Sequence, residues 1–434
     1  MLDMIFQAGV VGAGGAGFPT HVKYKAQAEV FIVNAIECEP LLRTDRYIVE
    51  TFAPEIAAAA LRIKAHLGAE RAVIAVKEHN TGMVDALRRA AEGKAIELYL
   101  SPAVYPAGDE QNLIHCITGR VVPTGGLPLD VGCVVSNAAT VYQVYEALQG
   151  RPVTDKVITI GGAVAHPITV SAPIGTPLSA LPALAGGPIG DCVYIIGGPL
   201  MGRVTESLEG ESVTKTTGGL LAIPRDAALL GRKEASLQRE VRLAQAVCCQ
   251  CSMCTQMCPR NAMGLNVQPH KVMRALAAGN CGLIGGDTNG IWSCCDCGIC
   301  TYYACNFGLH PSRMIQVYKD RMRREGVKPV KEVKYQPQGF DTKRLPTGRL
   351  LSRLDLERYD ADAPFAGTVE VQSVRIPLKM HAGGPDKPVV PAGTAVQKGQ
   401  LIAEPQGLGA RIHASISGTV TQVTEQYIEI RTVT

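Results

Sequence analysis

The hydrophobic pattern of the first 150 residues alternates short β-branched runs with longer helical stretches. Val30-Phe31-Ile32-Val33 and Ala72-Val73-Ile74-Ala75-Val76 are continuous apolar runs of strand length, as in strands buried on both faces. Between them Ala57 to Leu67 is alanine-rich and predicts a helix, and further helices are expected over Gly82 to Ala91 and Ala138 to Leu148. Strands separated by helices predict an α/β domain with a mainly parallel sheet over residues 1–150. The texture then changes. In 151–220, Val157 to Gly162 and Val193 to Gly198 read as strands running into glycines, with a short apolar segment, Leu178 to Leu184, between them. This predicts a small β-rich module. Residues 221–330 read as helical, with helices over Ser236 to Ala246, His270 to Ala278 and Pro311 to Arg324. Residues 331–362 are charged, carry Pro337 and Pro346, and predict a linker or wrapping segment. Short strands divided by glycine and proline fill 363–434 and end in Tyr427-Ile428-Glu429-Ile430, so a small all-β domain closes the chain. The fold class expected is multidomain α/β.

Length and charge narrow the function classes. At roughly 150 residues per domain, 434 residues suggest about three domains. The formal net charge is +4, and no run of like charges forms a nucleic-acid arm or a polybasic membrane patch. Lys319 to Arg324 reads as a solvated helix face. No apolar run approaches the ~18 residues of a membrane span. Met1-Leu2-Asp3-Met4 shows no secretory leader, so a soluble cytoplasmic protein is expected.

The cysteines change the picture most. Eleven of the fifteen fall between Cys248 and Cys305. Such clustering in a large cytosolic chain points to metal or redox chemistry rather than disulfides. Cys248, Cys251, Cys254 and Cys258 form a C-x2-C-x2-C-x3-C run followed by Pro259, the bacterial ferredoxin spacing. Cys294, Cys297, Cys300 and Cys305 form a second run with one extra residue before the last cysteine. The two runs look like an internal repeat, each with a surplus cysteine, Cys249 or Cys295, after the first. In the ferredoxin arrangement the fourth cysteine of a run ligates the other cluster. On that pattern Cys248, Cys251, Cys254 and Cys305 would hold one [4Fe–4S] cluster, and Cys294, Cys297, Cys300 and Cys258 the other. Structural zinc would instead favour two separated C-x2-C pairs or histidines. Cys249 and Cys295 read as packed thiols, Cys281 as a helix-end thiol, and Cys38, Cys116, Cys133 and Cys192 as small buried apolar residues.

A second signal lies at the N-terminus. Gly12-Ala13-Gly14-Gly15-Ala16-Gly17 fits G-x-G-x-x-G, with Glu37 and Glu39 beyond the strand that ends at Val33. Phe18-Pro19-Thr20 follows the glycines and the strand before them is poorly marked, so a plain dinucleotide fold fits badly. What remains is the physics of glycines that let backbone amides approach a phosphate.

With Lys23, then Asn34-Ala35-Ile36-Glu37-Cys38-Glu39-Pro40, Tyr105-Pro106-Ala107-Gly108-Asp109-Glu110 and Ser136-Asn137-Ala138-Ala139-Thr140, this loop resembles the flavin-binding subunit of respiratory complex I and its relatives. The resemblance implies a Rossmann-like domain that holds FMN and admits NADH. It implies that Gly12, Gly14, Gly15, Gly17 and Lys23 meet the FMN phosphate and ribityl chain, and that Asn34, Glu37, Tyr105, Gly108, Asp109, Glu110 and Asn137 line the flavin. Phe18 and Glu39 would meet the nicotinamide nucleotide. The chain departs from the family at Ala13, where an arginine is usual, at Ile36, where an acid is usual, and at Ser136, where an asparagine is usual. These changes bear on NADH specificity more than on FMN.

Residues 155–215 resemble the β-grasp module that follows the flavin domain in this family. Residues 375–431 resemble the barrel-sandwich domain of RnfC electron-transport subunits, through Pro388 to Gly393, Lys398-Gly399-Gln400 and Ile412 to Val420. Lipoyl carriers share that architecture but bear a lysine at a turn that here reads Ser415-Ile416-Ser417. The whole order is most similar to the cobalamin reductase family of propanediol-utilisation microcompartments. That resemblance implies NADH as donor, FMN and two clusters as relay, and corrinoid cobalt as acceptor in support of an adenosylcobalamin-dependent diol dehydratase. It also implies a place inside a bacterial microcompartment, with the shell or a corrinoid adenosyltransferase as partner. No corrinoid-binding histidine motif stands out; His21, His115 and His310 read as surface or core residues. The rival readings are an RnfC-like NADH-entry subunit of a membrane complex and a non-enzymatic iron–sulfur scaffold.

Overall fold

In the computed structural model, all residues are described except 16, 234–235, 280–283, 285–286 and 433–434, so Cys281 lies outside the described residues. The chain folds into two compact units, both discontinuous in sequence. One comprises Met1–Ser101, Gly132–Pro224 and Tyr359–Thr434, the other Pro102–Val131 and Arg225–Arg358. Among the described residues no helix is long and apolar enough to cross a membrane.

The first unit opens on a four-stranded parallel sheet in the order Glu97–Ser101, Arg71–Lys77, Val30–Asn34, Cys133–Asn137. The two inner apolar runs are buried on both faces, as a helix-covered parallel sheet requires. The helices Thr44–Leu67, Thr81–Ala91 and Ala138–Leu148 supply that cover. Thr44–Leu67 begins thirteen residues before the stretch expected from alanine content and is kinked at Phe52, whose φ is −120°. Pro54 explains the kink: it has no N–H to donate and its ring crowds the preceding turn.

A six-stranded sheet follows in the same unit, ordered Phe365–Thr368, Ile168–Pro173, Asp155–Gly162, Gly219–Pro224, Cys192–Ile196, Arg203–Thr205. It occupies the stretch expected to be the β-grasp module, but its edge strand Phe365–Thr368 arrives from far along the chain and runs parallel to Ile168–Pro173. The C-terminal residues form two small antiparallel sheets, one of four strands containing Ser373–Pro377, Tyr427–Arg431 and Gly418–Val423, and one of three containing Leu401–Glu404. One apolar core joins Phe31 and Ile74 of the parallel sheet to Ile376, Ile402 and Ile428 of these strands.

The second unit is helical. Leu237–Val247, Pro269–Ala277 and Pro311–Arg324 pack around Met263, Leu265, Val272, Met314 and Tyr318. Ser236 caps the first helix through the Arg239 N–H, and prolines open the other two, where a missing N–H costs nothing. Residues 331–358 wrap this unit: Lys334 and Tyr335 donate to the Gly264 carbonyl, and Leu345–Pro346 pairs with Val104–Tyr105. Residues 102–131 therefore belong with the cysteine-bearing helices and not with the parallel sheet whose strands flank them in sequence.

Candidate functional site

The parallel sheet changes direction at Val30–Asn34. The chain runs from it towards Glu97–Ser101, then returns to place Cys133–Asn137 on the other side. The crevice at the carboxyl ends of these two strands is where open α/β sheets bind ligands. Asn34 and Asn137 sit there in register. The Asn34 amide oxygen accepts the Ile36 N–H at 3.1 Å. The Asn137 oxygen accepts the Ala139 N–H at 2.9 Å, and its NH2 donates to both Asp45 oxygens at 3.0 and 3.2 Å.

The glycine loop closes over the same crevice. Gly14 lies so close to Asn137 that a Cβ would touch the asparagine side chain. Ala13 donates its N–H to Thr140 Oγ1 at 2.8 Å. Gly17 has a φ of +61°, its carbonyl accepts the Ala382 N–H at 2.9 Å, and little room is left for a Cβ beside His381. The loop follows the helix Leu2–Gln7 and runs into Thr20–Lys23, with no strand before it. Lys23 ends that short helix half-buried, while Phe18 is exposed.

Buried charge gathers beneath the loop. Glu37 Oε1 accepts from the Thr44 hydroxyl at 2.9 Å and the Asp45 N–H at 3.2 Å. Lys156 donates to the Ala13 carbonyl at 3.3 Å. Desolvation raises the Glu37 carboxyl, and desolvation with the Glu37 charge pushes Asp45 up to about 7. Burial brings Lys156 down to about 8, opposed by Asp45. Such a cluster can hold or move a proton near neutral pH. Asp45 and Lys156 carry no motif; Lys156 lies near the start of the strand Asp155–Gly162. Ser136, at the family's asparagine position, accepts from the buried Tyr24 hydroxyl at 2.9 Å. Glu39 accepts the N–H groups of Leu200 and Met201 at 2.8 and 3.2 Å, which holds its carboxylate against the Gly197 turn.

The second unit carries the cysteine runs, and their repeat extends into the backbone. Gln250 and Ser252 in the first run and Asp296 and Gly298 in the second all take left-handed φ, at 57°, 60°, 56° and 75°. Each run then enters a short helix, Met253–Gln256 or Ile299–Tyr302. Burial raises the Cys254 thiol to about 12, and Cys305, Cys251 and Cys248 add to the shift. Cys258 and Cys294 are likewise raised by burial to about 12, and Cys297 and Cys300 rise too, each with Cys258 among the neighbours. Cys254 thus has Cys305 as a neighbour, and Cys258 has the second run. Cys258, Cys294, Cys295, Asp296, Cys297 and Cys300 line one small cavity. Among the described residues, no three His, Cys, Asp or Glu side chains converge as the shell of a single metal ion requires. Cys249 is exposed, whereas Cys295 faces the cavity.

Tyr105, Gly108, Asp109 and Glu110 belong to this second unit. Tyr105 donates its hydroxyl to the Cys297 carbonyl at 2.7 Å. Asp109 caps the helix Glu110–Thr118 and accepts from Arg260 at 2.8 Å. No motif marks Arg260 except its place directly after Pro259. Of the histidines, His21 packs edge-on to Phe6, His115 edge-on to Phe340, and His310 pairs with Glu240 at 2.5 Å.

Comparison with known proteins finds three domain families along the chain. The Nuo51 FMN-binding domain family matches residues 5–146, and the 4Fe-4S dicluster domain family matches 247–310. The RnfC barrel sandwich hybrid domain family matches 359–433. Cobalamin reductase PduS of Salmonella typhimurium is 39% identical over 99% of this chain and 95% of its own. The chain belongs to the PduS cobalamin reductase family. Its PduS relative in Citrobacter freundii is 38% identical over the same shares. A component of the Na(+)-translocating ferredoxin:NAD(+) oxidoreductase complex of Acetobacterium woodii is 31% identical over 61% of this chain and 58% of that protein. This PduS-family chain is therefore an oxidoreductase with flavin and iron–sulfur domains.

Proposed function

We propose that the chain is an NADH-dependent electron-transfer flavoprotein that reduces the cobalt of a corrinoid and so supports an adenosylcobalamin-dependent diol dehydratase. The observation that carries the reading is the cavity in which Cys258 of the first run faces Cys294, Cys297 and Cys300 of the second. It supports two [4Fe–4S] clusters with exchanged fourth ligands, Cys305 completing the set of Cys248, Cys251 and Cys254. FMN supplies the conversion of a two-electron hydride donor to one-electron carriers, and the clusters carry those electrons onward.

The chain's own residues do the rest. Gly12, Gly14, Gly15 and Gly17 keep the backbone close enough for phosphate binding, with Lys23 as its counter-charge. Asn34, Glu37 and Asn137 orient the flavin at the switch point, Asp45 and Lys156 hold a proton beneath the loop, and Phe18 and Glu39 serve the nicotinamide nucleotide. Tyr105, Gly108, Asp109 and Glu110 keep the flavin roles that the complex I resemblance implies. The domain division proposed is 1–150 for FMN, 151–220 for the β-grasp module, 221–330 for the clusters, 331–362 as wrap and 363–434 as barrel sandwich. The protein would act in the cytoplasm inside a microcompartment, beside its shell or a corrinoid adenosyltransferase.

The test is anaerobic purification followed by NADH titration in the visible spectrum and addition of cob(III)alamin. Flavin and cluster bands should bleach together and recover when the corrinoid is added. An unbleached flavin would overturn the NADH assignment, and bleaching without corrinoid reduction would overturn the acceptor. The match to the Acetobacterium woodii complex component supports a second reading, an NADH-entry module for a membrane partner; copurification with membrane proteins would favour it.

A further inference from the structure

Arg260 stands two residues after Cys258 and is second in the short helix Pro259–Ala262. Its side chain is buried and lines the cavity shared by Cys258, Cys294, Cys297 and Cys300. The guanidinium donates to Asp109 at 2.8 Å, and Cys295 lines the same cavity. Arg260 is part of the cavity wall, whereas Asp109 is not. Coulomb energies fall with distance: the Arg260 charge is felt at Cys258, while at Cys295 that of Asp109 is the larger. Lys319, which donates to the Cys294 carbonyl at 2.9 Å, is a second cation there, and Asp296, which lines the cavity, opposes it.

The repeat makes the difference between the two cysteine sets visible. Where the first run ends Cys258-Pro259-Arg260, the second ends Cys305-Asn306-Phe307, and Phe307 is exposed and uncharged. Arg232 approaches Cys305, but it is half-exposed and solvent screens its charge. Among the described residues, one set therefore faces a buried cation and the other does not. Cluster potentials respond to nearby charge, hydrogen bonds to sulfur and exposure. Reduction adds one electron and no proton, which makes the cluster more negative, and a buried cation stabilises that product.

We propose that Arg260 raises the reduction potential of the cluster held by Cys258, Cys294, Cys297 and Cys300 above that of the other, with Asp109 limiting the size of the effect. The relay then has a built-in direction, from the Cys305 set towards the Arg260 set. This inference rests on the two-cluster reading above.

The experiment is an electron paramagnetic resonance redox titration of the full chain, purified without oxygen and reduced stepwise with dithionite, with iron and thermal unfolding measured on each sample. The wild type should resolve two midpoints. In Arg260→Gln the higher midpoint should fall while the lower stays, and Arg260→Lys should restore most of the shift. Asp109→Asn should move the higher midpoint further up. Full iron with both midpoints unchanged in Arg260→Gln, or with both displaced equally, would overturn the proposal. If Arg260→Gln loses iron, Asp109→Asn decides: it keeps the guanidinium, and an unchanged midpoint overturns the assignment. A wild-type chain without iron would instead sink the cluster reading itself.

Discussion

Single residues act here chiefly through charge placed where water is scarce. Lys23 is proposed to meet the FMN phosphate, and a charge-assisted contact of that kind is worth about 1.5–3 kcal/mol. Lys23→Ala should therefore weaken FMN retention by roughly tenfold or more, read as flavin lost on gel filtration; full retention would count against the placement. Asp45 makes a pH-dependent prediction. Its carboxyl is held up at about 7, against an ordinary value of 3.8. The folded chain thus binds this proton more tightly than the unfolded one, so the stability it adds is complete below about pH 4 and is lost as pH rises through about 7. Asp45→Asn should flatten the fall in thermal unfolding midpoint across that window. An unchanged slope would mean that the Asp45 proton is not linked to folding. Neither Asp45 nor Lys156 could be chosen from the sequence, because a lone acid and a lone base acquire their shifts only from what the fold packs around them.

At the scale of elements, the two cysteine runs were legible because their spacing is a local property. Three cysteines at three-residue intervals need the same turns wherever they occur, and both runs take left-handed φ at equivalent positions. They meet that need differently. Gly298 bears the conformation without strain, and a Cβ there would run into the Tyr302 ring. Ser252 takes it with a side chain, at a cost of about 1 kcal/mol. Ser252→Gly should therefore leave iron content intact and raise the unfolding midpoint slightly, while Gly298→Ala should lower both. Equal effects from the two changes would show that the repeat is only nominal. The expected helix Ala57 to Leu67 was only part of the observed Thr44–Leu67, because Pro54 obscures the pattern without ending the helix.

For the whole molecule, the grouping of distant segments matters most. Residues 102–131, which interrupt the parallel sheet in sequence, fold with the cysteine helices, and Phe365–Thr368 joins a sheet begun at Asp155. If the fourth ligands are exchanged, Cys305→Ser should cut iron from roughly eight to roughly four per chain and remove the cluster of the first run, leaving the signal assigned to the second. Loss of the second signal alone would show that each run closes its own cluster.

What the sequence determined by itself was chemistry that is written locally: cysteine spacing for iron–sulfur and β-branched runs for buried parallel strands. The tertiary structure alone brought Asp45 and Lys156 beneath the glycine loop, set Cys258 among the cysteines of the second run, and seated Arg260 between Asp109 and that cavity. Spacing along the chain dictates turn geometry over a few residues, but which distant side chains meet is chosen by the packing of whole elements, and burial then decides how strongly their charges are felt.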